Sequence, residues 1–492
     1  MIHSYKRMMN RLKIETTISA CLLAMMFFSC TTSDKVPSKD FVDYVNPYIG
    51  NISHLLVPTY PTVHLPNSML RVYPERGDFT SDRINGLPVV VTSHRGSSAF
   101  NLSPVQGDVS RPVVSYSYDL EKITPYSYSV YLDEDDIQVD YAPSHQAGIY
   151  HISFHTEGDN ALVINTRNGM LATEENGVSG YQIIDNTPTK IYLYLETSQS
   201  PVKKGVLTEG KVDTERQEGK TISLFYGTES KLDVRYGISF ISAEQAKKNL
   251  QRDITTYDVK AVADAGRKIW NETLGKITVE GGSEDEKEIF YTSLYRTYER
   301  MINISEDGKY YSAFDGKIHE DGGTPFYTDD WIWDTYRATH PLRILIEPQK
   351  ELEMIRSYIR MAEQSDRGWM PTFPEVTGDS HRMNGNHAVA VIWDAYCKGL
   401  GDFDLEAAYE ACKGAITEKT LLPWLRLPVT ELDKFYQEKG YFPALGVDEK
   451  ETCAAVHSFE KRQAISVMLG NCYDSWCLAQ IAKVLNKPEE YK

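Results

Sequence analysis

The chain has 492 residues and carries 52 Lys and Arg against 69 Asp and Glu, a formal net charge of -17. That length allows two or three domains around a large core, and 41% hydrophobic with 25% charged residues is an ordinary globular balance. The acidic balance argues against a nucleic-acid partner, whose phosphates need a basic footprint, and suits a domain handling neutral or basic ligands.

At the N-terminus, Lys6, Arg7, Arg11 and Lys13 form a basic region, and an apolar run from Ile18 to Phe28 follows. The run is too short for a permanent membrane span and reads as a signal peptide. It ends at Ser29-Cys30, which resembles a lipoprotein cleavage box in which the Cys is acylated and becomes the new N-terminus. Phe27-Phe28 is an atypical start to that box, and an ordinary cleaved signal or a simple anchor is the alternative. The expectation is a lipoprotein signal peptide over residues 1–30, lipid on Cys30 and a polar tether over 31–40. Such a chain is exported and lipid-anchored to a bacterial membrane, facing periplasm or cell surface.

From residue 41 to 242 the pattern is β. Ile149–Phe154, Ala161–Ile164, Ile191–Leu195 and Ile222–Tyr226 are short strand-like runs punctuated by Gly, Asn, Asp and Pro. Many short strands with turn signals predict a sandwich. Over 243–283 the texture changes to a helical linker with a short strand at Ile277-Thr278-Val279. From 284 to 492 almost everything predicts helix, with segments near 284–302, 329–339, 349–364, 387–398, 404–417, 429–438 and 459–485. Gly399, Gly401 and Gly440 stand where helix stops are expected. Cys397, Cys412, Cys453, Cys472 and Cys477 fit no zinc spacing and read mainly as small hydrophobes, although export would allow a pair to oxidise.

Several segments then fall in a recognisable order. They are Asp43–Gly50, Trp270–Gly282, Phe290–Arg296, Trp333-Asp334-Thr335-Tyr336-Arg337, Met383–Ala388, Asp394–Gly399 and Tyr473–Gln480. Across about 43–492 they resemble glycoside hydrolase family 92. The resemblance implies an N-terminal β-sandwich followed by an (α/α)6-type helical barrel, of which only about half is present. It implies an exo-acting, inverting α-mannosidase that needs Ca²⁺ and takes mannose-containing glycans or mannan. It also implies that the general base and the calcium ligands fall beyond Lys492.

The resemblance carries over residue by residue. Asp334 would accept hydrogen bonds from mannose hydroxyls, and Arg337 would donate to the sugar or hold Asp334. Lying three apart on a helix, both can face one cleft; a surface ion pair worth a few tenths of a kcal/mol is the bland alternative. Trp333 reads more as core than as a stacking platform, and His387 reads equally as a pocket donor or a satisfied buried His. Ser93 and His94 would bring a sandwich loop over the cleft, where Ser97-Ser98 replace the family's aromatic residues.

The family's general acid is a Glu before a Tyr-Asp-type run. Anchoring on Tyr473-Asp474 and Trp476 puts Gly470 at that position. An inverting glycosidase needs a carboxylic acid there, and Gly costs about 1 kcal/mol relative to Ala in a helix. Three readings apply. The leaving group needs no proton, as in a mannose-1-phosphate linkage; or a neighbouring acid among Asp448, Glu449, Glu451, Glu460 and Asp474 substitutes; or the chain is a catalytically inactive mannose-binding lipoprotein or a fragment of a split gene.

Overall fold

The computed structural model describes residues 39–52, 59–76, 80–92, 98–184 and 187–491. The expected signal peptide with Cys30, the tether up to residue 38, and Ser93 and His94 lie outside the described residues.

Among the described residues, Val63–His64 pairs with Arg71–Val72, and two larger antiparallel sheets, of ten and six strands, make up the chain between Arg83 and Ser239. Alternation builds them. In Lys190–Thr197, buried Ile191, Leu193 and Leu195 alternate with more exposed neighbours. The strand Asn160–Thr166 is buried on both faces. Its Leu162 and Ile164 join the core between the sheets, while Ala161 and Val163 pack on Val105, Val109 and Leu207.

Two helices, Ala243–Asp253 and Val259–Leu274, are capped by Ser242 and Asp258. They bring Leu250, Ile254 and the partly buried Val259 and Val262 onto Ala142, Ala147 and Ile149 of the larger sheet. The approach is close enough that a Cβ on Gly237 would lie 2.1 Å from the carbonyl oxygen of Ala246, which only glycine permits. Residues 277–279 are not a strand. The Tyr291 hydroxyl donates to the carbonyl of Ile277 (3.1 Å) and accepts from the amide of Val279 (3.2 Å), so a side chain takes the place of a sheet partner.

The helical part opens at Glu284–Arg296, where Ser283 and Glu286 form a reciprocal capping box. Helices Pro348–Gln364, Ala388–Cys397, Leu405–Thr417 and Ala464–Val484 pack against one another. Asp404 caps one of them, and Gly440 ends Glu431–Lys439 in the left-handed conformation, φ 78°. The part is less helical than its pattern predicts. Lys309–Ser312 pairs with Lys317–Glu320 across an Asp315-Gly316 turn. Ile302–Asn303 pairs with Tyr327–Thr328, and Pro374–Glu375 with Gly378–Asp379. The helix expected over 329–339 is split into Ile332–Thr335 and Thr339–Ile346, because Asp329 takes φ 64° and Ala338 leaves helical geometry. The last long helix starts at Ala464, after Gln463 at φ 45°.

The two parts share one continuous buried cluster, from Val63 in the first sheet region to Ala482 in the last long helix. Polar contacts pin the junction. Arg71, fully buried, donates to Asp329 at 2.5 Å, and Asn67 donates to the Met301 carbonyl at 2.7 Å. The Trp270 indole donates to the His64 carbonyl at 2.7 Å. The helix Ala464–Val484 carries apolar residues on its exposed side as well as its buried one, and Ile465, Leu469, Tyr473 and Trp476 form an exposed row along it.

Candidate functional site

The Trp-Asp-Thr-Tyr-Arg segment forms the single turn Ile332–Thr335 and the residues just after it. Beneath that turn lies buried Asp330. It accepts from Thr335 Oγ1 (2.9 Å) and from the Tyr358 hydroxyl, and it lies 3.0 Å from His340 Nε2. His340 Nδ1 lies 2.8 Å from Glu351, also fully buried. Burial by itself would lower the His340 pKa, but the carboxylates on either side outweigh it and raise the value to about 9. The imidazolium therefore fixes the floor of the turn.

Asp334 is exposed, yet its carboxyl is partly desolvated. That desolvation and the Asp330 charge push its pKa up, against the pull of Arg300 and Arg337. Arg337 makes no ion pair with Asp334 among the described residues. Its Nε donates to the Tyr336 hydroxyl at 2.9 Å, and its guanidinium stands 5.8 Å from the centre of the Trp333 ring. Tyr336 in turn stacks on His387, with ring centroids 4.1 Å apart. Trp333, Arg337, Tyr336 and His387 are thus linked in a continuous row, which the spacing of two distant motifs does not reveal.

His387 is buried, and its Nδ1 lies 2.8 Å from Asp474. Asp474 also accepts from the Asn386 amide at 2.7 Å. Fully buried and doubly engaged, Asp474 orients His387 and does not stand free as a proton donor. Glu451 is held by Arg462, whose hydrogen bonds lower its pKa to about 2, so it carries no proton near neutrality. Gly470 faces the same imidazole, and a Cβ there would stand 3.4 Å from His387 Cε1, an ordinary contact. Position 470 therefore admits a Cβ beside His387 and carries no side chain.

Two further charged residues belong to this region and have no sequence motif of their own. Arg300 lies 3.9 Å over the Trp331 ring and donates to Asp329 at 2.8 Å. Glu375, 3.4 Å from Arg382, has its pKa raised by burial against the charges of Arg382 and Arg300. Both sit at element ends, next to hairpins that the pattern does not announce. The five described cysteines are free; Cys412, Cys453 and Cys477 are buried, while Cys397 and Cys472 are exposed. Among the described residues no three His, Cys, Asp or Glu side chains converge to hold a metal ion, so the calcium that the resemblance implies has no fitting donor set in them.

Comparison with known proteins agrees with this architecture. Residues 44–239 match the glycosyl hydrolase family 92 N-terminal domain, and residues 245–492 match the family 92 catalytic domain. The structure of an inverting family 92 mannosidase from Bacteroides thetaiotaomicron superposes with a TM-score of 0.80 at 27% identity, covering 92% of this chain and 64% of that one. A family 92 α-mannosidase of the same organism shares the fold, with a TM-score of 0.79 at 22% identity over 92% of this chain and 64% of that one. An uncharacterised secreted glycosidase of Arthroderma benhamiae is 24% identical over 276 residues, which is 53% of this chain and 29% of that protein. The chain thus spans about 64% of the length of those two solved relatives. With both of the family's domains matched in order, and a β-rich part followed by a helical part as in its solved members, the chain belongs to glycosyl hydrolase family 92.

Proposed function

We propose that this protein is an α-mannosidase-type glycoside hydrolase that inverts configuration at terminal α-mannosyl residues, with a preference for linkages whose leaving group needs no protonation, such as mannose-1-phosphate. One observation carries the preference: Gly470 faces His387 with space for a side chain and offers no acid. A phosphate leaves with a far lower pKa than a sugar hydroxyl, so the missing proton costs it little.

In this reading Asp334 accepts from the sugar hydroxyls. Arg337, braced by Tyr336, donates to them, and Trp333 supplies an apolar wall. The Asp474 contact with Nδ1 fixes His387 so that the Cε1 edge of its ring is turned toward position 470. The division into 41–242, 243–283 and 284–492 assigns this chemistry to the last segment. The exposed apolar row Ile465, Leu469, Tyr473 and Trp476 supports a barrel completed by further helices packed on it.

The test compares hydrolysis of α-mannose-1-phosphate and of α-1,2-mannobiose. Faster turnover of the phosphate is expected, and equal or better turnover of the disaccharide refutes the preference. Sugar binding without turnover of either substrate would favour a silent mannose-binding protein. Asp334→Asn should weaken mannose binding about 10- to 100-fold in calorimetry; unchanged affinity removes Asp334 from the site.

Export and a lipid anchor belong to the same proposal. The basic and apolar N-terminal segments support them, as does a relative named as secreted. Cys30→Ala should abolish labelling by a fatty-acid analogue, and undiminished label refutes the anchor.

A further inference from the structure

Behind the hairpin Pro374–Asp379 lies a cavity of about 130 Å³, walled by Ala313, Phe314, Trp369, Asp379, His381 and Arg426. None of the residues assigned above to sugar binding lines it. His381 also borders a narrower cavity on its other side, beside Asn384, Asn386 and Lys419.

The imidazole of His381 is the feature that needs explaining. The residue is 8% exposed, and neither ring nitrogen has a hydrogen-bond partner. Nδ1 comes within 3.2 Å of Asp379 Oδ2 but out of line. The Asp379 oxygens accept the amides of Thr372 (2.8 Å), Phe373 (2.8 Å) and His381 itself (3.1 Å), and Oδ2 is the one polar group near Nδ1, so Nε2 is the ring nitrogen with no polar neighbour. Leaving such a group unpaired costs about 1–3 kcal/mol, and native proteins rarely do so without a reason. The backbone is held in place as well. His381 takes φ 50°, a left-handed conformation that side chains disfavour, and its carbonyl accepts the Trp424 amide at 2.9 Å.

The walls indicate the chemistry. Arg426 pairs with Asp366, and Asp379 is compensated by His381 and by the Lys419 ammonium. Burial keeps the imidazole neutral, with its pKa lowered to about 4. A neutral imidazole gives one donor and one acceptor, Trp369 and Phe314 give apolar surface, and Arg426 gives donors at the rim. A net charge on the ligand would find no counter-charge. The volume equals roughly four waters at about 30 Å³ each and falls below the 300–1,000 Å³ of drug-sized sites.

We propose that this cavity is a binding site for one small neutral polyol, no larger than a single sugar ring, with His381 as its hydrogen-bonding partner and Trp369 as its apolar wall. The proposal does not rest on the proposed hydrolase reading.

The test is an NMR titration of the full chain with glycerol and with free D-mannose, following the His381 ring signal assigned through His381→Gln. Saturable shifts with a Kd near 10 mM are expected. Ala313→Leu, which fills the cavity with carbon, should weaken binding about 10-fold, and Arg426→Gln should weaken it in a variant altered only at the exposed rim. Asp334→Asn should leave the His381 shifts unchanged. Three outcomes overturn the proposal: no His381 shift with either probe, shifts that persist undiminished in both cavity variants, or a cavity that holds only ordered water at saturating probe.

Discussion

Replacing His340 by alanine is expected to destabilise the protein by about 3–5 kcal/mol, a large share of the stability of a typical domain. The reason lies in what the substitution leaves behind. Asp330 and Glu351 are 1% and 0% exposed, and both lean on the His340 ring, at 3.0 and 2.8 Å. Arg343, 3.7 Å from Glu351, compensates only one of them. The same interaction has a pH signature. The folded-state pKa of His340 is raised, to about 9 from the ordinary 6.5. Its contribution is therefore fully present below pH 6.5 and is lost as pH rises through 9. Urea unfolding of wild type and His340→Ala should give curves far apart at pH 6 and closer together near pH 9.5. Equal stability at pH 6 would show that the triad does not hold the turn beneath Asp334.

Gly470→Glu should act in the opposite sense. The substitution replaces a helix-interior glycine by a good helix former, a gain of up to about 1 kcal/mol. Its Cβ meets His387 at ordinary contact distance, so the fold accepts it. More important, under the proposed reading it places a carboxyl where a leaving oxygen would collect its proton. General acid catalysis is worth about 10²–10⁴-fold. Turnover of α-1,2-mannobiose should rise by at least about 10²-fold over wild type, while turnover of a phosphate-linked mannoside should change little. A folded variant without any gain on the disaccharide would mean that position 470 does not address the glycosidic oxygen.

What the sequence reveals depends on how local the cause is. The alternation of Lys190–Thr197, the capping box of Ser283 and Glu286 and the glycine stop at Gly440 are written within a few residues, and each element forms where its pattern predicts. The Asp334 and Arg337 motif is legible too, but its helix is a single turn. Its geometry is set by Asp329, which Arg71 holds from 258 residues away. The Tyr291 hydroxyl that replaces a strand pairing at 277–279 works through a side chain, which β-propensity does not register. The stacking of Tyr336 on His387 joins two motifs that each read as isolated. Arg300 and Glu375 acquire their meaning only from neighbours brought in by hairpins.

The Arg71 contact also bears on motion. Separate domains in one chain swing against each other by default unless a large apolar interface joins them. Here a continuous buried cluster runs through the junction, and a desolvated guanidinium bridges Asp329 to the carbonyls of Val91 and Glu299. Opening the two halves would pull that guanidinium off Asp329 and the Glu299 carbonyl and expose the buried apolar cluster to water. The junction therefore resists hinge motion of the two parts against each other.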